Sequence, residues 1–217
     1  MSQSLSRGLY AITPDERYTP KLVAMVSAAV AGGAVLVQYR NKAAAVDLRR
    51  EQIAALLPLC HACGADLIVN DDIELAIELE ADGVHVGRDD AADSLAAVRA
   101  ALGPNRILGV SCYNDLALAQ NAAMIGADYL AVGSVFASNT KPTAVKATLE
   151  LVSEVSRRFG LPVAAIGGIT LANAPSVIAA GASLLAVISD LFNTGDIKIQ
   201  AQNYAALFTQ PAGASHS

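Results

Sequence analysis

Polar side chains recur at every second position in the stretch VQYRNK, residues 37–42. Successive side chains of an extended chain point to opposite faces, so Gln38, Arg40 and, if the chain stays extended, Lys42 share one face. Two cations and an amide are unexpected at the end of a strand that otherwise reads as buried. Guanidinium and ammonium groups bind phosphate oxygens well, so the stretch predicts a site for a phosphate-bearing ligand.

Carboxylates follow two other short apolar runs. NDD (70–72) stands at the end of one run, and RDD (88–90) follows the next. If the two runs are neighbouring strands, about 4.8 Å apart, the carboxylates of Asp71 and Asp90 can share one hard cation such as Mg²⁺. Each charged residue alone reads more readily as a solvated loop residue. Together with the cations of VQYRNK, the carboxylates predict Mg²⁺ holding a polyphosphate.

The elements that must position these residues recur along the whole chain. Short β-branched runs predict strands at 8–13, 34–40, 66–70, 83–87, 107–112, 129–136, 162–167 and 183–189. Alanine- and leucine-rich stretches of helical period predict helices near 20–31, 46–63, 72–80, 93–102, 114–125, 147–159, 173–180 and 196–208. Asn114 stands where the N-cap of the fifth helix is expected, and Gly126 stands where that helix should end.

Strand and helix units alternate evenly, and this pattern predicts the α/β fold class. Eight such units in 217 residues fit a single-domain (β/α)8 TIM barrel. Nearly continuous apolar strands are covered on both faces, as in a parallel sheet with crossover helices. A doubly wound open sheet is the alternative, but no GxGxxG follows the first strand. We expect one barrel domain over residues 1–209 and a flexible C-terminal tail over residues 210–217.

Such a barrel carries its chemistry at the carboxyl ends of the strands, where this chain places polar residues or glycines. Ser111 ends the fifth strand, and SNTK (138–141), which ends in a third cation, follows the sixth. IGGI (166–169) and VIS (187–189) indicate a second anion site, since barrels often bind phosphate with the backbone after strands 7 and 8. A tight turn would explain Gly168 alone, but the two sites together indicate two phosphorylated substrates.

Composition favours small-molecule partners. A net charge of −5 and a pI near 5.1 argue against nucleic acid and anionic membranes, which need a basic face. The most membrane-like run, 22–37, is broken by two glycines and is shorter than the ~20 residues of a spanning helix. The N-terminus has no apolar secretion signal, so we expect a cytoplasmic protein. Cys60 and Cys63 form CHAC, which we interpret as two helix residues in preference to a redox or zinc half-site.

The sequence shows no plausible pair of a nucleophile and a base, which argues against acyl transfer. There is no GxSxG motif, and the three histidines are His61 on a helix, His85 inside a strand and His216 in the tail. We interpret His85 as a hydrogen-bonded barrel residue in preference to a substrate contact. A reaction driven by loss of diphosphate needs positioning and charge stabilisation more than a strong base, which suits this set of residues.

Taken in order, these motifs resemble the thiamine-phosphate synthase family over roughly residues 8–190. The resemblance is carried by VQYRNK, LIVNDDIELA, ADGVHVGRDD, ILGVSCYN, GADYLAVGSVFASNTKPT, VAAIGGI and GASLLAVIS. It implies a transferase that joins hydroxymethylpyrimidine diphosphate to hydroxyethylthiazole phosphate, giving thiamine monophosphate and pyrophosphate with Mg²⁺ as cofactor. It also implies a largely dissociative mechanism, in which diphosphate departs first and the thiazole nitrogen captures a pyrimidine-stabilised methylene cation.

Matching motifs imply roles for particular residues. The resemblance assigns the pyrimidine diphosphate to Gln38, Arg40, Lys42, Asn70, Ser111 and Lys141. Within that group it assigns catalysis to Arg40, Ser111 and Lys141, with Lys141 steadying the leaving group. It assigns Mg²⁺ to Asp71 and Asp90. It assigns the thiazole phosphate to Ser138, Thr140, Gly168, Ile188 and Ser189.

The sequence departs from the family pattern at two places and leaves rival functions open. Arg88 stands where Gln is usual, as a surface residue or an extra anion contact, and FAS (136–138) replaces Phe/Tyr-Pro-Thr. The rivals are a thiazole tautomerase-like isomerase, which would not need the diphosphate residues, and a non-catalytic phosphate-binding barrel. An alanine-rich helical exterior with few charges leaves room for a homo-oligomer.

Overall fold

Eight parallel strands form a closed barrel in which each strand pairs with the next and the eighth pairs with the first. The computed structural model describes residues 5–87, 95–137 and 145–209. The strands are β1 (Gly8–Ile12), β2 (Ala34–Tyr39), β3 (Asp66–Asn70), β4 (Gly83–Val86), β5 (Ile107–Tyr113), β6 (Tyr129–Gly133), β7 (Val163–Ile166) and β8 (Leu184–Val187). The closed strand order confirms the predicted (β/α)8 barrel and excludes the open sheet.

Helices cover the outside of the barrel. In the described residues they are α1 (Thr19–Ala31), α2 (Val46–Ala62), α3 (Ile73–Glu78), α4 (Leu95–Leu102), α5 (Leu116–Ile125), α6 (Leu149–Phe159), α7 (Ala174–Ala179), α8 (Ser189–Phe192) and α9 (Ile197–Thr209). The eight predicted helices are present, and α8 is an additional one-turn helix that the sequence did not predict. Within the described ranges, no helix is long and apolar enough to cross a membrane.

Two apolar layers follow from the alternation of side chains along each strand. In β1, Leu9 and Ala11 pack with the helices, whereas Tyr10 and Ile12 pack in the barrel interior. Both layers are buried, which explains the nearly continuous apolar sequence of the strands. The interior layer consists of Tyr10, Ile12, Leu36, Ile68, Tyr129, Ala131, Ala164, Leu184 and Ala186. Its small alanines leave room above them, at the carboxyl end of the strands.

The fifth helix shows which end signals were correct. Asp115 caps α5 by accepting a hydrogen bond from the backbone N–H of Ala117 at 2.8 Å, so the prediction of Asn114 as N-cap is wrong. The helix begins at Leu116, and the N–H groups that need an acceptor lie two and three residues after Asp115. Gly126 ends the helix in the left-handed conformation, as predicted.

Six of the eight strands end earlier than the sequence predicted, including three that precede predicted site residues. β2 ends at Tyr39, β6 at Gly133 and β8 at Val187. After β6, the backbone N–H of Ser134 donates to the carbonyl of Val145 at 2.9 Å, outside the strand ladder. Arg40 after β2 and Ser134 after β6 therefore lie in loops at the mouth of the barrel, and Ser189 after β8 begins the short helix α8.

Carboxylates close the opposite, amino-terminal end of the barrel. Asp82, before β4, donates its N–H to the carbonyl of Leu67 at 3.2 Å and accepts the N–H of Leu67 on Oδ2 at 2.7 Å. Asp128, before β6, makes the same two bonds to Leu108, each at 2.8 Å. We call these reciprocal arrangements the rim clasps. Each one ties a strand to the strand before it.

Each rim clasp has a basic partner on the helix that precedes the first of its two strands. His61, near the end of α2, lies 2.9 Å from Oδ2 of Asp82 and is about half exposed. Arg99 of α4 is mostly buried, and it donates to Oδ2 of Asp128 at 3.0 Å. The Arg99 guanidinium also donates to the carbonyls of Gly103, Arg106 and Gly126.

Candidate active site

A cavity of about 790 Å³ opens at the carboxyl end of the strands, the size of a typical small-molecule site. It brings together nine of the residues that the sequence predicted, namely Gln38, Arg40, Lys42, Asn70, Asp71, Ser111, Gly168, Ile188 and Ser189. The remaining predicted residues, Asp90, Ser138, Thr140 and Lys141, lie outside the described residues, as does Arg88.

The alternation read from VQYRNK persists in the structure although β2 ends at Tyr39. Gln38, Arg40 and Lys42 line the cavity. Between them, Tyr39 and Asn41 turn the other way, and both bond Oε1 of Gln52 on α2, at 2.8 and 3.2 Å. The outward residues thus anchor the segment to a helix, and the inward residues are left to face a ligand.

Neighbouring loops hold the two cations in place. The backbone N–H of Arg40 donates to Oγ1 of the buried Thr13 at 2.9 Å, and the Thr13 hydroxyl donates to the Arg40 carbonyl at 3.1 Å. The Arg40 guanidinium lies 3.6 Å from a carboxylate oxygen of Asp15. The Lys42 ammonium lies 2.9 Å from Oδ2 of Asp71. Cationic groups and a carboxylate therefore meet on one wall of the cavity.

Asp71 projects from a constrained position at the end of β3. Its φ of 65° lies in the left-handed region, and its N–H donates to the carbonyl of His85 at 2.9 Å. Oδ2 of Asp71 accepts from the amide of Asn70 as well as from Lys42. The neighbouring Asp72 caps α3 and pairs with Arg49, so it is not part of the cavity wall.

The cavity floor carries a connected chain of hydrogen bonds across the barrel. Gln38 donates from Nε2 to the Tyr10 hydroxyl at 2.6 Å, and the hydroxyls of Tyr10 and Tyr129 are 2.6 Å apart. Nδ1 of His85 lies 2.9 Å from the Tyr129 hydroxyl, and Nε2 lies 2.8 Å from Oγ of Ser111. We call these five residues the floor relay. It links two predicted substrate contacts, Gln38 and Ser111.

Burial keeps the titratable members of the floor relay neutral. Desolvation lowers the pKa of His85 to about 4, despite the opposing influence of the Asp71 carboxylate. Desolvation also raises the pKa of the Tyr10 and Tyr129 hydroxyls. Both ring nitrogens of His85 have partners within the relay, which confirms the interpretation of His85 as a hydrogen-bonded barrel residue.

Sequence reasoning missed Tyr10 and Tyr129 as members of the site. Their hydroxyls meet from strands that lie 119 positions apart in sequence, so no local pattern connects them. A usable signal did exist, because each tyrosine occupies an inward position of its strand, where a buried hydroxyl needs a partner.

A second wall consists of the loops after β6, β7 and β8. Gly168 has a φ of 60°, and a Cβ atom there would lie 2.2 Å from the carbonyl oxygen of Ala137. The neighbouring loop therefore leaves no room for a side chain at Gly168. The backbone N–H of Phe136 donates to the carbonyl of Gly167 at 3.1 Å, which joins the same two loops.

The wall continues after β8 into residues that were not predicted. Ile188 precedes α8, and the exposed Ser189 begins that helix instead of ending a strand. Other residues that line this side of the cavity are Thr170, Asp190, Asn193, Thr194 and Gln200. Gln200 comes from α9, beyond the eighth strand, so a strand-end rule could not identify it.

The described residues do not form a complete metal site by themselves. No group of three or more His, Cys, Asp or Glu side chains in these ranges is arranged to hold a metal ion. Asp71 does present a carboxylate to the cavity beside two cationic groups. Mg²⁺ is commonly held by one or two carboxylates, with waters and substrate phosphates completing its shell.

The fold and the cavity define a (β/α)8 barrel with a small-molecule site at the carboxyl end of its strands. A family model described as thiamine monophosphate synthase matches residues 9–191. The thiamine-phosphate synthase of Methylobacillus flagellatus is 52% identical over 202 residues, which cover 93% of this chain and 95% of that protein. That of Aromatoleum aromaticum is 51% identical over 208 residues, covering 96% and 99%.

A solved structure agrees with the sequence relatives. Thiamine phosphate pyrophosphorylase from Pyrococcus furiosus matches with a TM-score of 0.81 and 32% identity, over 94% of this chain and 95% of that chain. This chain belongs to the thiamine-phosphate synthase family, whose members are transferases. Family membership confirms the resemblance seen in the sequence, and the synthase names of the relatives disfavour the tautomerase and non-catalytic alternatives.

Proposed function

We propose that this chain condenses hydroxymethylpyrimidine diphosphate with hydroxyethylthiazole phosphate, releasing thiamine monophosphate and pyrophosphate in a Mg²⁺-dependent reaction. One observation carries the proposal. The cavity has a cationic wall at Arg40 and Lys42, a glycine-containing wall at Gly167 and Gly168, and a hydrogen-bonding floor between them. The diphosphate of one substrate, the phosphate of the other and the two rings between these groups each need one of the three surfaces.

The cationic wall suits the diphosphate of the pyrimidine substrate. Arg40 can bind two oxygens with one planar group, and Lys42 adds a second positive charge. The amide of Asn70 lines the cavity beside them. Lys141 is assigned to the leaving diphosphate by the family motif alone.

Asp71 fits a role in holding Mg²⁺. Its carboxylate supplies the hard oxygen that Mg²⁺ prefers, and it stands where a diphosphate on Arg40 and Lys42 could complete the coordination. Asp90 is the second carboxylate proposed from the motif. When bound, Mg²⁺ would offset negative charge that collects on the departing diphosphate.

The floor relay suits the pyrimidine ring. If each group donates once, Gln38 donates to Tyr10, Tyr10 to Tyr129, and Tyr129 to Nδ1 of a neutral His85. Nε2 of His85 then donates to Ser111, whose own hydroxyl proton remains for a ring nitrogen or a diphosphate oxygen. The relay would therefore fix which atoms of Gln38 and Ser111 face the substrate.

The chemistry requires charge stabilisation and no proton transfer. The bond between the pyrimidine methylene carbon and the diphosphate oxygen breaks, and its electron pair leaves with pyrophosphate. The thiazole nitrogen then donates its lone pair to the methylene cation to form the new carbon–nitrogen bond. Arg40, Lys141 and Ser111 would stabilise the departing oxygens. His85 is neutral and both of its ring nitrogens are hydrogen-bonded, which agrees with a reaction that needs no general base.

The second wall suits the thiazole phosphate. We assign the phosphate to the backbone around Gly168, Ile188 and Ser189, with Ser138 and Thr140 added from the motif. This arrangement would put the thiazole ring over the apolar part of the floor, at Ala131, Ala164 and Ala186, and next to the pyrimidine. A cytoplasmic location and a homo-oligomer stay predictions from the sequence.

The direct test is a product assay on the purified chain. Both phosphorylated substrates are incubated with Mg²⁺ or with EDTA, and thiamine monophosphate and pyrophosphate are followed together. We expect equal release of both products with Mg²⁺ and none with EDTA. A folded protein that forms neither product, or forms thiamine monophosphate at the same rate in EDTA, would contradict the proposal.

A further inference from the structure

The short helix α8 depends on other elements for its position. It spans only Ser189–Phe192, and its N-cap residue Ile188 makes no side-chain capping bond. A single helical turn is unstable alone, because several residues must be fixed for very few hydrogen bonds. Contacts from outside must therefore hold α8 and the turn before it.

Two side chains of α9 supply such contacts at one residue of α8. Gln200 donates from Nε2 to the backbone carbonyl of Asp190 at 3.0 Å and to its Oδ2 at 2.7 Å. Tyr204 donates its hydroxyl to the same Oδ2 at 2.6 Å. Gln200 and Tyr204 are one helical turn apart and so share a face of α9. We call these three residues the α9 latch.

The α9 latch lies beside the cavity wall. Asp190 and Gln200 line the cavity next to Ile188. Tyr204 is fully buried, and burial together with the Asp190 carboxylate raises its pKa, so the hydroxyl keeps its proton to donate. The Tyr204 oxygen also lies 3.5 Å from the carbonyl of Ile169, in the loop after β7. The latch therefore reaches both loops that we assign to the thiazole phosphate.

A separate face fixes α9 to the barrel. A Cβ atom on Gly32, just after α1, would lie 2.5 Å from the Cβ of Ala201, which is fully buried. A Cβ on Gly33 would lie 3.1 Å from the Cβ of Ala205. Close packing at the alanines leaves α9 little freedom, so the face that bears Tyr204 is a rigid support.

We propose that Gln200 and Tyr204 are positioning residues for the thiazole phosphate. They hold Asp190, and through it the backbone of Ile188 and Ser189, in the arrangement that binds this group. The inference rests on the proposed function, which assigns this wall to the thiazole phosphate. The matched family model ends at residue 191, before either latch residue of α9. Loss of the α9 latch should weaken binding of the thiazole phosphate and leave binding of the pyrimidine diphosphate unchanged.

Tyr204→Phe tests the inference, with KM measured for each substrate in turn. We expect the KM for the thiazole phosphate to rise about tenfold, because one hydrogen bond to a carboxylate is lost. The KM for the pyrimidine diphosphate and kcat at saturation should stay at wild-type values. Tyr39→Phe is the reciprocal control, since it removes another buried tyrosine hydroxyl, which donates to Gln52 at 2.8 Å and anchors the segment of Arg40 on the opposite wall. The control should leave the KM for the thiazole phosphate unchanged.

Two further variants separate a positioning role from a general loss of stability. In an Asp190→Ala background, which lacks the accepting oxygen, Tyr204→Phe should add little, because Tyr204 acts through that carboxylate. Gln200→Ala, at a partly exposed position, should reproduce the selective rise in KM if Tyr204→Phe folds poorly.

Three results would overturn the inference. One is an unchanged KM for the thiazole phosphate in Tyr204→Phe and Gln200→Ala. Another is an equal rise in both KM values, matched by Tyr39→Phe. The third is a wild-type protein that forms no product, which would overturn the proposed function at the same time. Active wild-type protein with unresponsive latch variants would overturn the latch alone.

Discussion

Charged residues at the two ends of the barrel are used in different ways. At the carboxyl end, Arg40 and Lys42 line an open cavity, and among the described residues they form ion pairs with the side chains of Asp15 and Asp71. At the amino end, Asp82 and Asp128 bond the backbone of the preceding strand. The backbone bonds of the rim clasps fix their carboxylates, whereas the cations at the mouth can exchange their partners for a ligand. Charged side chains thus stabilise the fold at the amino end, and we propose that they bind the ligand at the carboxyl end.

Arg40→Ala should show the largest difference between an effect on activity and an effect on stability. We expect a loss of about a thousandfold in kcat/KM, or about 4 kcal/mol, because a planar cation facing the diphosphate is removed. The free energy of unfolding should stay close to wild type, since Arg40 pairs only weakly with Asp15. Steady-state kinetics and urea unfolding measure the two quantities. Arg158→Ala, on the exposed face of α6, is the control. Near-normal turnover in Arg40→Ala would contradict the assignment of Arg40 to the diphosphate.

The converse change is Asp128→Ala at the rim. It leaves the N–H of Leu108 and the mostly buried Arg99 without this carboxylate, so the free energy of unfolding should fall by about 3 kcal/mol. The kcat/KM of the folded variant should equal that of wild type. Asp47→Ala, at an exposed position, is the control and should leave the free energy of unfolding almost unchanged. A variant of full stability, or one with a selective loss of activity, would show that the ends are not separate.

His85 lies inside the barrel between its two ends, and the pH dependence of stability tests whether this buried side chain is neutral. Its pKa is about 4 in the fold and 6.5 unperturbed, so between these values the unfolded chain binds a proton that the folded chain does not. The free energy of unfolding should therefore fall as pH drops below 6.5, by about 2 kcal/mol at pH 5. In His85→Gln this contribution should be missing. Urea unfolding at pH 5 and pH 7 compares the two proteins, and identical pH dependence would argue against a neutral buried His85.

The smallest effect should come from His61→Ala, which sharpens the comparison between the two rim clasps. His61 is half exposed, so its loss should cost about 0.5 kcal/mol. Arg99→Ala should cost several times more, because Arg99 is mostly buried and also holds three backbone carbonyls. Thermal unfolding compares the stability lost in His61→Ala with that lost in Arg99→Ala. Equal losses would mean that the clasp carboxylates, and not their basic partners, set the strength of the rim.

The fold could be predicted because its signals are local and repeated. Each strand is a short apolar run, and the longer helices have a recognisable period, with end signals such as Asp115 and Gly126 at α5. The cationic wall could be predicted for the same reason, since the alternation of Gln38, Arg40 and Lys42 lies within a few residues. The helix α8 escaped prediction because four residues are too few to show a period.

The unpredicted parts of the site depend on contacts between distant segments. Tyr10 and Tyr129 meet only when the barrel closes, and Tyr204 reaches Asp190 only once α9 has packed on α1. Gly168 was correctly singled out, but its neighbour is Ala137 of another loop, which no reading of IGGI could show. Long-range contacts of this kind follow from the fold and are not encoded in any one stretch of sequence.

The measurement that tests the central claim most directly is calorimetric binding of pyrophosphate, with Mg²⁺ present, to wild type, Arg40→Ala and Asp128→Ala. It reports binding at the mouth without requiring turnover. We predict the same Kd for wild type and Asp128→Ala, and a Kd at least about thirtyfold weaker for Arg40→Ala. Equal weakening in both variants, or none in Arg40→Ala, would contradict the division of roles between the two ends of the barrel.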